Sequence, residues 1–532
     1  MYRWNGWGDD QIEMPLPEGA ASMLEQLIGA PAAPGPACPM ADILSKIPDT
    51  RIRKPLSLVS TRPEDRLRHS CGQSFADWVG LRFGSLKRFP DAVAYPETTE
   101  EITQTLDFAA RENLLVIPYG GGTSVVGHLD VPDADRPVLS LSLERLNRLV
   151  DINTANRLAT FEAGVRGPHL EAQLLTHGYT LGHYPQSFEQ SSLGGWVVTR
   201  SSGQQSLYYG RIEDLFAGGR LITPKGDMNF PPYPASAAGP DLRHLALGSE
   251  GRMGVLAEAQ VRICELPQAD HIYGAFFPSW DQAVEAVRAL TGTDRPLSMV
   301  RLSNPVETET NLILAGHEKQ INLLRYYLRL RGLLDNRYCM ALIGLTGSRQ
   351  GVHRAWRHTK SVIRKYQGLT VGQPMGKAWK KNRFLAPYLR NTLWDVGYAV
   401  DTLETAVNWD NVRPAMASIE TALTDALAGE DEKVHAFSHL SHVYTTGSSI
   451  YTTYVFRLAE TAEETLARWQ RLKALASRAV VSCGGTISHQ HGVGTDHKPY
   501  LAAEKGELGV GLLNQAWSFT DPDQRMNPGK LS

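Results

Sequence analysis

The sequence predicts an α+β protein with more than one core. Length sets the number of cores: 532 residues exceed the ~250–300 at which a single hydrophobic core stops growing. Texture sets the class. Short apolar runs alternate with amphipathic segments over residues 89–267, and alternate again with larger aromatics over 268–485. Glycine sets the expected ligand wall, because three glycine-rich clusters fall within 118–256.

The elements follow in order. Residues 1–88 read as an irregular and partly helical segment, with the Ala/Pro/Gly-rich stretch 29–39 lying irregularly on the surface. Residues 92–95 read as a short strand. Thr98 and Glu101 form a capping-box pattern, in which the threonine oxygen accepts the amide three residues on and the glutamate reaches back. Ile102, Leu106, Ala109 and Ala110 then mark one helix face. Residues 114–117 read as a buried strand running straight into glycine, 138–141 and 158–161 as further strands, and 169–177 as a short helix. In the second stretch, strands are expected at 271–277, 341–345, 434–437 and 450–456, and helices at 280–290 and 461–476. Residues 377–409 hold Trp379, Phe384, Tyr388, Trp394 and Trp409 and read as an insertion packed over the site.

Composition excludes several classes. Fifty-four basic against 56 acidic residues leave a net charge of −2, which gives no electrostatic basis for a nucleic-acid partner. No apolar run reaches the ~18 residues that cross a bilayer. The N-terminal residues lack the apolar core of a signal peptide, and the ending Gly-Lys-Leu-Ser is not a peroxisomal address. Cys38, Cys71, Cys264, Cys339 and Cys483 are scattered without a C-x-x-C, so reduced thiols in a cytoplasmic protein are expected, without a disulfide framework or zinc site.

The first cluster is Pro118, Tyr119, Gly120, Gly121, Gly122, Thr123 and Ser124. Consecutive glycines allow positive φ and close backbone approach, and successive amides can form an anion-binding nest. The pattern is neither G-x-G-x-x-G nor a G-x-x-x-x-G-K-[ST] loop; taken alone, a glycine turn explains it equally well. The second cluster carries Gln186, Ser187, Ser191 and Ser192, then Gly195, Thr199, Arg200, Ser201 and Ser202. Rich in hydroxyls and poor in charge, it suits a large and mostly neutral ligand. The third carries Glu250, Gly251, Gly254 and Val255.

In order and spacing these clusters resemble the FAD-binding domain of the vanillyl-alcohol oxidase and p-cresol methylhydroxylase (PCMH) flavoprotein family. Further segments resemble its alkyldihydroxyacetonephosphate synthase branch over nearly the whole chain. They are Asn-Gly-Trp-Gly at 5–8, residues 83–91, 194–200, 209–215, 239–243 and 401–409, and Ser-His-Gln-His-Gly-Val-Gly at 488–494. The resemblance implies a two-subdomain PCMH-type FAD-binding domain over 89–267. It also implies an α/β cap, with an antiparallel sheet and helical insertion, over 268–485, and a C-terminal segment, 486–532, returning to the flavin. FAD contacts would fall on the three clusters.

The resemblance also implies roles. Tyr451, in Gly-Ser-Ser-Ile-Tyr, would transfer a proton, with Tyr454 on the same run as its confounder. A phenol with a reference pKa of ~10 needs a nearby cation or flavin dipole to do so. Arg301, in Arg-Leu-Ser-Asn, would bind phosphate bidentately. His489 and His491 would position substrate or flavin. Gln490 replaces the family's middle histidine and cannot titrate. His439 stands where the animal synthases carry a substrate-binding arginine, and holds an anion only when protonated. His435, His439 and His442 suggest a metal, but i and i+3 face opposite ways on a strand, and no metal is expected. His128 and His183 are the nearest candidates for covalent flavin attachment and read as ordinary polar residues.

The implied activity exchanges the acyl group of acyl-dihydroxyacetone phosphate for a long-chain alcohol, with flavin N5 as the electrophile and no net redox. It requires an apolar tunnel, and implies a homodimer with peripheral membrane association. The alternative is an FAD-dependent oxidase or dehydrogenase of a 2-hydroxy acid or alcohol, which Gln490, His439 and the ending at 521–531 favour.

Overall fold

The computed structural model describes residues 2–292 and 296–531. The first sheet joins β1 (Val59–Ser60), β2 (Ala92–Ala94), β3 (Leu115–Tyr119) and β4 (Val138–Ser142) in the order β1-β2-β4-β3. β2 and β3 both pair with β4 in parallel. Parallel strands need a crossover, and helix Thr99–Arg111 carries the chain from β2 to β3, on either side of β4. Thr98 caps it by accepting from the Glu101 amide at 3.2 Å. The reciprocal half of the expected box is displaced: Glu101 accepts from the Glu97 amide instead, because its extended side chain reaches past the cap. Phe108 rather than Ala110 completes the buried face.

The second sheet is antiparallel, with β5 (Leu149–Asn153), β6 (Leu158–Glu162), β7 (Phe216–Thr223), β8 (Gly226–Phe230) and β9 (Val255–Arg262) in the order β5-β6-β9-β7-β8. Leu139, Leu141, Phe161, Trp196, Phe216 and Leu221 pack the two sheets into one core. Residues 525–527 close the free edge of β3: the Val116 amide donates to the Arg525 carbonyl and the Asn527 amide to the Val116 carbonyl, both at 2.8 Å.

The third sheet holds β10 (Ala269–Phe277), β11 (Leu297–Ser303), β12 (Cys339–Gly347), β13 (Leu369–Gly372), β14 (Tyr398–Asn408), β15 (His435–Leu440) and β16 (Gly447–Arg457). The order is β13-β10-β12-β11-β15-β16-β14, antiparallel throughout. Ile419, Leu423, Trp469 and Leu472, on helices Val412–Thr424 and Ala462–Ser482, pack against Leu403, Tyr454 and Phe456. The second helix outruns the expected 461–476, since Ala479 and Val480 continue its buried stripe.

Two expectations need correction. The stretch 377–409 is only half an insertion. Helices Pro374–Asn382 and Leu389–Asp395 fit that description, but residues 398–408 are the edge strand β14, as their β-branched Val400, Thr402, Thr405 and Val407 favour. The N-terminal residues are also more tightly built in than expected. Glu18–Ile28 is a helix with Ala20, Leu24 and Ile28 buried one turn apart. The irregular stretch after it is pinned by Tyr398, whose hydroxyl donates to the Gly29 carbonyl (2.9 Å), and by Trp394, whose indole donates to the Pro36 carbonyl (3.0 Å).

Candidate active site

A cavity of about 500 Å³ lies between loops of the first two sheets and one face of the third. The loop leaving β3 forms part of its first wall, with residues 118–124 all lining it. Glycine is required at 121, because a Cβ there would drive into the Gln190 carbonyl oxygen of the neighbouring loop. Gly122 has φ +69°. Among the described residues, no amide N–H of 120–124 donates to a protein acceptor. Backbone donors facing a cavity unpaired are what an anionic group would satisfy. Gln186, Ser187, Ser191, Ser192, Gly195, Thr199, Ser201, Ser202, Glu250, Gly251 and Gly254 line the same wall. So do Gln204 and Asn527, whose side-chain oxygens are buried without a partner among the described residues. Arg200 and Val255 are outside the lining. Arg200 ends helix Leu193–Thr199 in a left-handed conformation, 3.7 Å from Glu213, and Val255 pairs with Ile222 inside the sheet. His128 lines the cavity beside Ser124 (2.7 Å); His183 packs on Trp196 behind it.

The opposite wall is the face of the third sheet, and strand register orders it. Glu404, Tyr451 and His439 are direct cross-strand partners on β14, β16 and β15. The next row on this face is Thr402, Thr453 and Phe437, and the one after it is Val400, Val455 and His435, each about 7 Å further along. Polarity falls along these rows. At the far end Leu16, Met23, Leu24 and Leu393 pack with Phe437 and Val455 and line the cavity.

Tyr451 stacks on His439 (4.9 Å, 22°) and meets His491 edge-on (6.0 Å). Burial pushes its phenol up to about 12, against a Thr402 hydrogen bond and the Arg301 cation. Tyr454 points to the other face, where it donates to Asp401 (3.0 Å). Arg301 lines the cavity but is already paired with Glu307 (2.8 Å). Glu307 also meets His439 Nδ1 at 2.8 Å. Although burial opposes its charge, His439 and Arg301 hold Glu307 at about 2. Burial and Arg301 push His439 down, with Glu307 opposing. His439 is therefore the partner of a buried carboxylate, not a free cation awaiting an anion. Burial also pushes His435 and His491 down to about 4.

Of the expected residues, Arg301, His439, Tyr451, Gln490 and His491 line one cavity; His489 lies behind it. His489 Nε2 meets Arg211 Nη1 (2.7 Å) and Tyr444 Oη (2.6 Å), and Nδ1 lies 3.2 Å from Glu404. Glu404, His442 and His489 bring three ligand-type atoms within 4.8 Å of one another. An arginine only donates, so Nε2 faces Arg211 as an acceptor and Nδ1 faces Glu404. His435, His439 and His442 do not converge: His435 meets Thr310 (3.0 Å), and His442 meets Ser202 and Ser206.

Sequence reasoning missed Glu307, Glu404 and Arg390. Glu307 was disguised as an ordinary helix-cap residue three positions after Asn304, whose side chain does accept its amide. Arg390 lines the cavity, stacked on Trp78 (4.3 Å), with Nε and Nη2 lacking a partner among the described residues.

The family model described as FAD linked oxidases, C-terminal domain, matches residues 266–531, and an FAD binding domain model matches 90–229. The chain is 30% identical to an alkyldihydroxyacetonephosphate synthase of Caenorhabditis elegans, over 86% of this chain and 78% of that one. The chain belongs to the FAD-linked oxidase family, in its alkyldihydroxyacetonephosphate synthase branch. A synthase of Dictyostelium discoideum is 29% identical over 100% of this chain and 93% of its own. A solved structure of an alkyldihydroxyacetonephosphate synthase superposes with TM-score 0.85 at 26% identity, covering 99% of this chain and 98% of that one. FAD is the cofactor of this branch member, and the unpaired amides of 120–124 fit its pyrophosphate.

Proposed function

We propose that this enzyme exchanges the acyl group of acyl-dihydroxyacetone phosphate for a long-chain alcohol. The observation that carries the reading is the apolar arm of the cavity, which starts at the Tyr451 row and runs to Leu24 and Leu393. An alkyl chain matches it; a short hydroxy acid would leave it empty. The similarity to synthases along the whole chain favours exchange over oxidation. Bound FAD would supply an electrophilic ring. The loops at 118–124, 186–192, 199–202 and 250–254 would hold it. Tyr451 would move the proton, Arg301 and Arg390 would face the phosphate, and His491 would pack the substrate against Tyr451. FAD-loaded protein given acyl-dihydroxyacetone phosphate and labelled hexadecanol should yield labelled ether; no ether at full flavin loading overturns the reading.

Peripheral membrane docking belongs to the same proposal. Helix Glu318–Leu330 exposes Leu323, Tyr326, Tyr327 and Leu330 on one side, among Arg325, Arg329 and Arg331. Such a stripe suits an anionic bilayer surface. No helix among the described residues is long and apolar enough to cross a membrane. Co-sedimentation with phosphatidylglycerol vesicles, weakened by Leu323→Ser with Leu330→Ser, is expected. We also propose a cytoplasmic homodimer. Five free cysteines support a reducing compartment, and Leu508, Leu512 and Phe519, exposed on helix Leu501–Thr520, offer a face to a second copy. A monomer by light scattering overturns the assembly.

A further inference from the structure

Gln490 has two chemically opposite ends: its NH2 only donates and its carbonyl oxygen only accepts. What stands behind it decides which end faces the cavity. Glu404 is held well below the usual carboxylate range, burial opposing and His489 prevailing, so it is an acceptor. The Gln490 NH2 therefore turns to Glu404, at 2.5 Å. Gln490 lines the cavity, and no donor among the described residues engages its carbonyl oxygen.

Glu404 is itself fixed. Its Oε1 accepts from the Ser441 hydroxyl (2.6 Å) and lies 3.2 Å from His489 Nδ1. The His489 amide donates to the Glu404 carbonyl (3.1 Å). Arg211 clamps His489 from outside through Nε2 (2.7 Å) and its carbonyl (3.0 Å), and Glu213 holds Arg211 at 2.9 Å. Close contacts thus run from Arg211 through His489 and Glu404 to Gln490, with the His489 side chain 3.2 Å from the Glu404 carboxylate.

Glu404 is the register partner of Tyr451 on one side, and His439 on the other. Tyr451 therefore stands between the Arg301–Glu307–His439 cluster, whose guanidinium lines the cavity, and Gln490. An anionic headgroup belongs on the first side, and a neutral group bearing an O–H belongs on the second.

We propose that Gln490 is the recognition residue for the hydroxyl of the long-chain alcohol, accepting its hydrogen bond at Oε1, and that Arg211, His489 and Glu404 are the positioning residues that keep it turned. The inference rests on the exchange reading and deepens it. Two substrates would use one tyrosine from opposite sides.

The test uses the FAD-loaded full chain. Binding of 1-decanol is compared with binding of 1-chlorodecane, which has similar length and cannot donate, by perturbation of flavin absorbance. Wild type should prefer the alcohol by about three- to tenfold, the worth of one hydrogen bond exchanged against water. Gln490→Met and Gln490→Leu should lose that preference. They should raise KM for the alcohol by a similar factor while KM for the acyl ketone phosphate stays put. Equal wild-type affinity for the two probes overturns the inference, whatever the variants do. So does ether synthesis in Gln490→Met with an unchanged alcohol KM, which leaves the exchange reading standing. A Gln490-dependent alcohol preference in a protein that makes no ether supports the recognition role and sinks the exchange reading instead.

Discussion

The two walls of the cavity solve different problems with different chemistry. The wall at 118–124 and 186–204 is built of glycine and hydroxyls and, at 120–124, of backbone amides without a protein acceptor among the described residues. The wall on the third sheet is built of titratable side chains, Tyr451 and His439 in register with Arg301 and Glu307 beside them, backed by Glu404 and His489. The first wall works through backbone shape, so it suits a permanent ligand. The second works through protonation and charge pairing, so it suits a ligand that changes during the reaction. Binding and chemistry should therefore separate by wall.

The sharpest way to break that separation is Tyr451→Phe. The exchange rate should fall by ~10²–10⁴-fold, the usual worth of a positioned proton-transfer group, with flavin content unchanged on the absorbance spectrum. Loss of flavin there would erase the distinction between walls. Gly121→Ala attacks the other wall. Its Cβ meets a backbone carbonyl, an overpacking that typically costs ~1–3 kcal/mol. The purified protein should carry far less FAD, and its thermal midpoint should stop responding to added FAD. Tyr454→Phe controls for the confounder. It removes a bond to Asp401 on the far face and should cost ~1 kcal/mol of stability in urea titration while the rate holds.

The smallest effect concerns pH. Burial keeps His435 at about 4 in the folded protein, below the ~6.5 of an unfolded histidine. As pH falls below that unfolded value, the unfolded chain takes the proton first. The stability this group contributes is thus full above ~6.5 and is lost as pH drops toward 4. Burial holds Asp77 at about 7 and Asp496 at about 6, which pulls the other way but is common to both proteins. The thermal midpoint of His435→Gln should therefore fall less than wild type's between pH 6.5 and 4.

The walls also differed in how well the sequence revealed them. Glycine at 121 is demanded by contact with a neighbouring loop, and such demands leave a composition that can be read directly. Tyr451 and Arg301 were readable only through the resemblance. Glu404 became visible only when register placed it opposite Tyr451, because pairing between strands some fifty residues apart leaves no local pattern. The β-branched residues at 398–408 mark a strand, but the large aromatics on either side mask it in a local window. His489 sits in a readable motif, yet its direction depends on Arg211, far upstream in sequence.

The closing of β3 by residues 525–527 has a temporal consequence. Asn527 donates to the His128 carbonyl, 399 positions earlier in the chain, and to the Glu250 carbonyl. At ~5–20 residues per second, a ribosome needs roughly 20–80 s to bridge that interval. For that time the glycine loop hangs from a strand with a bare edge, the kind of edge that recruits foreign strands. The growing chain cannot finish its cofactor cradle early: a chain interrupted before residue 525 lacks the bridge to Val116 that closes this edge.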